Sequence, residues 1–210
     1  MNDMRLGVRL GLGFFLVLLI MGISFGVILV QLKGMAREAI QVRDESVPFA
    51  LLAERMTGQV NEVQQFLTDA SLTADPKAVQ EALAVGKEVR AGIDRFLTMF
   101  NSENDQEGVR RIHDIQKNFE GFLQIGQKMV QAYLDHDQVA ATALMGEFDK
   151  GAISLESVLE PLRKSQVDEA QANLASVVRS TEALGHLLWI VILIATAVGV
   201  ATAVVIIRII

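Results

Sequence analysis

Through the middle of this chain, apolar residues recur in steps of three and four. Phe49, Leu52, Met56, Val60, Val63, Leu67 and Ala70 make one such row. Val79, Ala82, Gly86, Val89, Ile93, Phe96 and Phe100 make a second, and Ile112, Ile115, Phe119, Phe122, Gly126, Met129 and Tyr133 a third. A fourth row is looser: Phe148, Ala152, Leu155, Leu159 and Leu162, then Ala170, Leu174, Val177 and Leu184. This spacing keeps one stripe of a helix turned toward a partner. It predicts four amphipathic helices packed as a left-handed bundle.

Breaks in the pattern carry helix-start signals. Asp75-Pro76 places a capping carboxylate before a proline at the first helical position. The polar run Asn101-Ser102-Glu103-Asn104-Asp105 caps the third helix, and Asp137 of Asp135-His136-Asp137 caps the fourth. Connections this short make neighbouring helices antiparallel. Pro48 and Pro161 fall inside the first and fourth rows, where kinks are expected.

On either side of the four rows the pattern turns uniformly apolar. No residue from Leu10 to Leu32 is charged, and from Ala183 to Ile207 only His186 can become so. Each run exceeds the roughly 20 residues that a helix needs to cross a bilayer, and in hydrocarbon the backbone must satisfy its own hydrogen bonds. Arg5 and Arg9 ahead of the first run resemble the start of a signal peptide. However, the run is longer than the roughly 7–15 residues of such a segment, so an uncleaved anchor is expected. Arg5 and Arg9 precede the first span and Arg208 follows the second, while Lys33 and Arg37 follow the first. Basic flanks favour the cytoplasmic side, which puts both termini there. Trp189 then lies in the outer interfacial belt, with Phe14 and Phe15 near the inner one. Gly22 and Gly26, and Ala195, Gly199 and Ala203, have the small-residue spacing that lets membrane helices approach closely.

Composition agrees with helices. Hydrophobic residues make up 51% of the chain but aromatic ones only 6%, and there are only three prolines. Cysteine is absent, which excludes disulfides and thiolate metal sites. The formal net charge is -6, and all of the Asp and Glu except Asp3 lie between Lys33 and Glu182. No basic stripe for nucleic acid exists. The expected fold is all-α: an antiparallel four-helix bundle at residues 33–184, flanked by transmembrane helices at 10–32 and 185–207. Residues 1–9 and 208–210 are assigned to the cytoplasm.

Candidate chemistry is sparse. At about 1.5 Å rise per residue, Arg55, Arg95, Arg110, Arg111 and Arg163 fall at a common height, with Lys164, Glu54, Asp94, Asp114 and Glu160 near it. The belt reads either as solvated ion pairs or as an anion-binding pocket built by unpaired arginines. His113, His136 and His186 lie at different heights, and the Glu-x-x-His pairs of a diiron bundle are missing. Haem-attachment, phosphate-loop, zinc-protease and nucleophile-elbow motifs are missing too. Methionines such as Met56 and Met129 fit core positions. The expectation is a non-enzyme without cofactor or metal.

Three stretches resemble methyl-accepting chemotaxis proteins, the bacterial chemoreceptors: Arg5-Leu-Gly-Val-Arg-Leu-Gly-Leu-Gly-Phe14, Gln59-Val-Asn-Glu-Val-Gln-Gln-Phe-Leu-Thr-Asp-Ala-Ser71, and Val204-Val-Ile-Ile-Arg-Ile-Ile210. The resemblance implies an inner-membrane receptor with an outer sensing bundle, a homodimer, and a HAMP linker leading to methylation helices and a kinase-control tip. No position among these 210 residues corresponds to the methylation or kinase-control sites, so kinase and adaptor are partners only through regions outside this chain. Aspartate-type receptors carry an arginine cluster in the first sensor helix, and Thr57–Thr73 here has no arginine, which argues against an amino-acid carboxylate site of that kind.

The resulting expectation is a transmembrane sensor. It takes a small molecule or a periplasmic binding protein as stimulus, and passes the signal through the second span. The same outer module serves histidine kinases and nucleotide cyclases. A membrane-anchored cofactor bundle is the rival of a different class.

Overall fold

The computed structural model of the protein describes the backbone of residues 3–209 and the side chains of residues 11, 13–204 and 208. The side chains of Arg5, Arg9 and Val205–Ile207, used above to place the membrane ends, lie outside the described residues. The fold is all-α, with no strand among the described residues. Helix α1 spans Asp3–Gln41, and a π-helical turn follows at Val42–Ser46. Helices α2, α3, α4 and α5 span Val47–Thr73, Pro76–Ser102, Gln106–Leu134 and Gln138–Ile209.

The three connectors work as the capping residues predict. Ala74 takes a left-handed conformation (φ 55°) and closes α2 by donating its N–H to the Ala70 carbonyl. Asp75 then accepts from the Lys77 N–H at 2.9 Å. Asp105 accepts from the Glu107 and Gly108 N–H groups at 3.0 and 2.9 Å. Asp137 accepts from the Ala140 N–H at 3.1 Å. These bonds satisfy donors that a helix start leaves open.

The two internal prolines behave differently. Pro48 cannot donate to the Asp44 carbonyl, and its ring crowds that carbonyl. The chain answers with the wider π turn just before it, rather than with a simple kink. Helix α5 runs on through Pro161. Pro161 and Ser157 are both exposed, so water can serve the carbonyl that the ring leaves without its donor.

Two compact units divide the chain: Asp44–Ala170, and Met1–Arg43 with Gln171–Ile210. In the first, four helical segments share one core. Met56, Val63 and Leu67 of α2 meet Val89, Ile93 and Phe96 of α3; Ile112, Phe119, Phe122 and Met129 of α4; and Phe148, Leu155 and Leu162 of α5. Each fully buried side chain of this size stabilises by roughly 1.5–3 kcal/mol. Phe122 and Phe148 stack with centroids 4.6 Å apart. Gly126 sits beside them because a Cβ there would stand 2.6 Å from Leu67 and 2.7 Å from Phe148.

The other unit pairs α1 with the end of α5. The Ser180 hydroxyl donates to Glu38 at 3.1 Å. Gly13 faces Thr202 so closely that a Cβ would lie 2.9 Å from its methyl group. Within the chain, the close approach thus falls at Gly13 and not at Gly22, Gly26 or Gly199, where a Cβ would meet nothing within 4 Å. Both helices contain a segment long and apolar enough to cross a membrane, with mean hydropathy 2.8 and 2.6 and no buried residue. The fourth apolar row does not stay buried: Ala170 is covered, but Leu174 is 46% exposed.

Candidate functional site

Phe96 and Phe100 are four residues apart on α3, so both rings lie on one helix face. They stack with centroids 6.0 Å apart, and Phe49 of α2 leans on Phe96 at 5.2 Å. An arginine closes each end of this row. Arg95 lies 5.9 Å from the Phe49 ring centre, and Arg111 lies 5.9 Å from that of Phe100. Such contacts contribute about 0.5–2 kcal/mol, more as they are desolvated. Arg111 reaches Asp105 at 3.8 Å, while its Nε is enclosed without a hydrogen-bond partner.

The five arginines of the predicted belt therefore part company. Arg95 and Arg111 share the aromatic row. Arg163 is held by Glu160 at 2.7 Å and by Glu54 at 3.0 Å. The hydrogen bonds that Arg163 donates to Glu160, then to Glu54, raise its pKa further and keep its charge permanent. Arg110 is exposed and bonds back to the Gln106 carbonyl at 3.2 Å. Arg55 is exposed and makes no ion pair among the described residues. Equal height along a helix does not bring side chains together, because rotation about the axis decides which neighbour each one meets.

Beside Arg95 opens a recess of ≈ 490 Å³, lined by Asp44, Glu45, Phe49, Asp94, Thr98, Met99 and Ser102 as well. An anion entering it meets three carboxylates for one guanidinium, which opposes the anion-pocket reading at this position. A second recess, of ≈ 300 Å³, lies between α2 and α5. Thr57, Asn61 and Gln64 form one wall, and Asp149, Ile153 and Glu156 the other. Sequence reasoning passed it over. Its one visible signal is the polar series Thr57, Asn61, Gln64, stepping by four and three beside the buried stripe. The lining suits a small polar molecule able to donate hydrogen bonds to the carboxylates.

Among the described residues no group of three or more His, Asp or Glu is placed to hold a metal ion. His113 lies 3.4 Å from the Gln116 side chain, and His136 forms the left-handed turn residue between α4 and α5. Comparison with family models, curated proteins and solved structures gives no match to this chain.

Proposed function

We propose that this chain is the sensory input part of a membrane receptor, most similar in layout to a chemoreceptor. An antiparallel four-helix bundle faces the outside, α1 and the end of α5 span the inner membrane, and both termini are cytoplasmic. Two copies pair along the first helix and first span. A stimulus shifts the balance between two packings of the bundle, and the second span carries the difference inward. The chain works by binding and movement, without catalysis.

One observation supports this reading above the rest: α5 is a single helix from Gln138 to Ile209. It carries both core residues such as Phe148, Leu155 and Leu162 and the exposed apolar residues Ile190, Leu193 and Ile194. A helix rises about 1.5 Å per residue and resists bending, so a push on its core-packed part is felt at Arg208.

The test joins the chain to a cytoplasmic kinase with a measurable output, after thermal-shift screening of the full chain in nanodiscs has found a stimulus. Two glycines inserted after Ala175 interrupt α5. Loss of the response with membrane insertion intact is the expected result. A response that survives the insertion contradicts transmission through α5.

A further inference from the structure

Two side-chain stripes of the same spacing line the recess between α2 and α5, inside the Asp44–Ala170 unit. Thr57, Asn61 and Gln64 make the stripe on α2; Asp149, Ile153 and Glu156 make the one on α5. Steps of four and three keep each trio on one helix face. Val60 and Leu159, both buried, close the floor. No Lys or Arg is among the described residues that line the recess. Among the described residues, the side chains of Asn61, Gln64, Asp149 and Glu156 have no hydrogen-bond or ion-pair partner. Several carboxylates that face a neighbouring helix elsewhere in the bundle do have one. Glu120 holds Arg90, Glu54 holds Arg163, and Glu88 accepts from Gln59. The seam between α2 and α5 instead keeps two negative charges open, with Ile153, 67% exposed, between them along the helix.

We propose that this recess binds a small aliphatic diamine. Each ammonium group meets one carboxylate through charge-assisted hydrogen bonds, and the hydrocarbon between them lies over Ile153 and Val60. Seven residues at about 1.5 Å each set the Asp149 and Glu156 backbones about 10 Å apart along the helix. Two ammonium groups held between the carboxylates stand a few ångströms closer, a gap that a short methylene chain spans. The amide oxygens of Asn61 and Gln64 accept from the remaining N–H groups. Other small ligands fit less well. An anion is repelled by both carboxylates, and an amino acid brings a carboxylate that no cation here receives. A metal ion finds no third acidic or imidazole ligand among the described residues. A single exposed ion pair contributes little. Once one end of a diamine is held, however, the other end binds at a high effective concentration. Two charges on one chain are therefore what the recess selects. Naming the diamine as the stimulus rests on the receptor reading, whereas its binding does not.

Equilibrium dialysis of radiolabelled cadaverine against the full chain tests it, in phosphatidylcholine nanodiscs whose lipids carry no net charge. Cadaverine should bind about tenfold or more tightly than its single-amine counterpart pentylamine, measured by competition. Pentanediol should not compete. Asp149→Asn and Glu156→Gln are exposed changes of a kind that folds tolerate, and each should weaken cadaverine to the level of pentylamine. Glu147→Gln removes an α5 carboxylate outside the recess and should change nothing, which separates the site from general attraction of cations to an acidic surface. Absence of cadaverine binding, or binding unaltered when Asp149→Asn and Glu156→Gln are combined, would overturn the site. Equal affinity for cadaverine and pentylamine, or tighter binding of calcium ions, would overturn the diamine as its ligand. Cadaverine binding at this site without a response from the joined kinase would support the site and count against the receptor reading.

Discussion

Arg90 of α3 grips Glu120 of α4 through two hydrogen bonds, at 2.6 and 2.8 Å, while its guanidinium lies 5.8 Å from the Phe119 ring centre. The pair ties two helices at a point where both side chains stay partly in water. The hydrogen bond from Arg90 holds the Glu120 carboxyl below its ordinary value. A depressed acid stabilises the fold above the unfolded value, and that contribution is lost as pH falls through the folded one. Solvent limits the size: a double-mutant cycle on Arg90→Ala and Glu120→Ala should give a coupling of about 0.5–1 kcal/mol at neutral pH. It should vanish in acid, and a coupling that persisted below the titration of Glu120 would show that the pair contributes through packing instead.

Gly126 and Gly121 lie on the same helix but face different surroundings. A Cβ at Gly126 would press on Leu67 and Phe148, whereas at Gly121 it would meet nothing within 4 Å. Overpacking costs about 1–3 kcal/mol, and Gly-to-Ala in a helix gains up to about 1 kcal/mol. Gly126→Ala should therefore lower the melting temperature and Gly121→Ala should raise it. Equal shifts would mean that the α2–α4–α5 contact is looser than described.

Much of this was legible from steps of three and four. Met56, Ile93, Phe119 and Leu155, each on a predicted row, are all fully buried. The capping aspartates Asp75, Asp105 and Asp137 accept the bonds that their positions implied. The rows could not say where the core ends. Leu174 continues the fourth row but is half exposed, because burial depends on a neighbour and not on periodicity. Nor could they reveal the site. Arg95 and Arg111 meet through Phe49, Phe96 and Phe100, which the pattern treats only as core.

Arg163 offers a check on the belt of ion pairs. With both of its carboxylate partners in place, anionic ligands have no open guanidinium there. Arg163→Ala should lower the melting temperature only slightly, since exposed ion pairs contribute little, and leave thermal shifts caused by small anions unchanged. If the substitution abolished an anion-induced shift, Arg163 would belong to a binding site after all.

Pairing of two copies along the first helix is open to crosslinking, because the chain has no cysteine of its own. Ile40 is half exposed on α1. Ile40→Cys should give a disulfide-linked dimer under mild oxidation in membranes. Monomer alone, with Leu51→Cys on α2 also unlinked, would contradict the proposed seam.

The lack of native cysteine also permits the most direct test of the membrane arrangement. Lys77→Cys introduces a thiol at the exposed start of α3, and Arg208→Cys one near the end of α5. Each variant is treated in intact cells with a maleimide that cannot cross membranes. Two spans with an outer bundle require that the Lys77→Cys variant be labelled at once and the Arg208→Cys variant only after permeabilisation. Labelling of the α5 thiol from outside, or protection of the α3 thiol, would contradict an outward-facing sensor joined to the cytoplasm by α5.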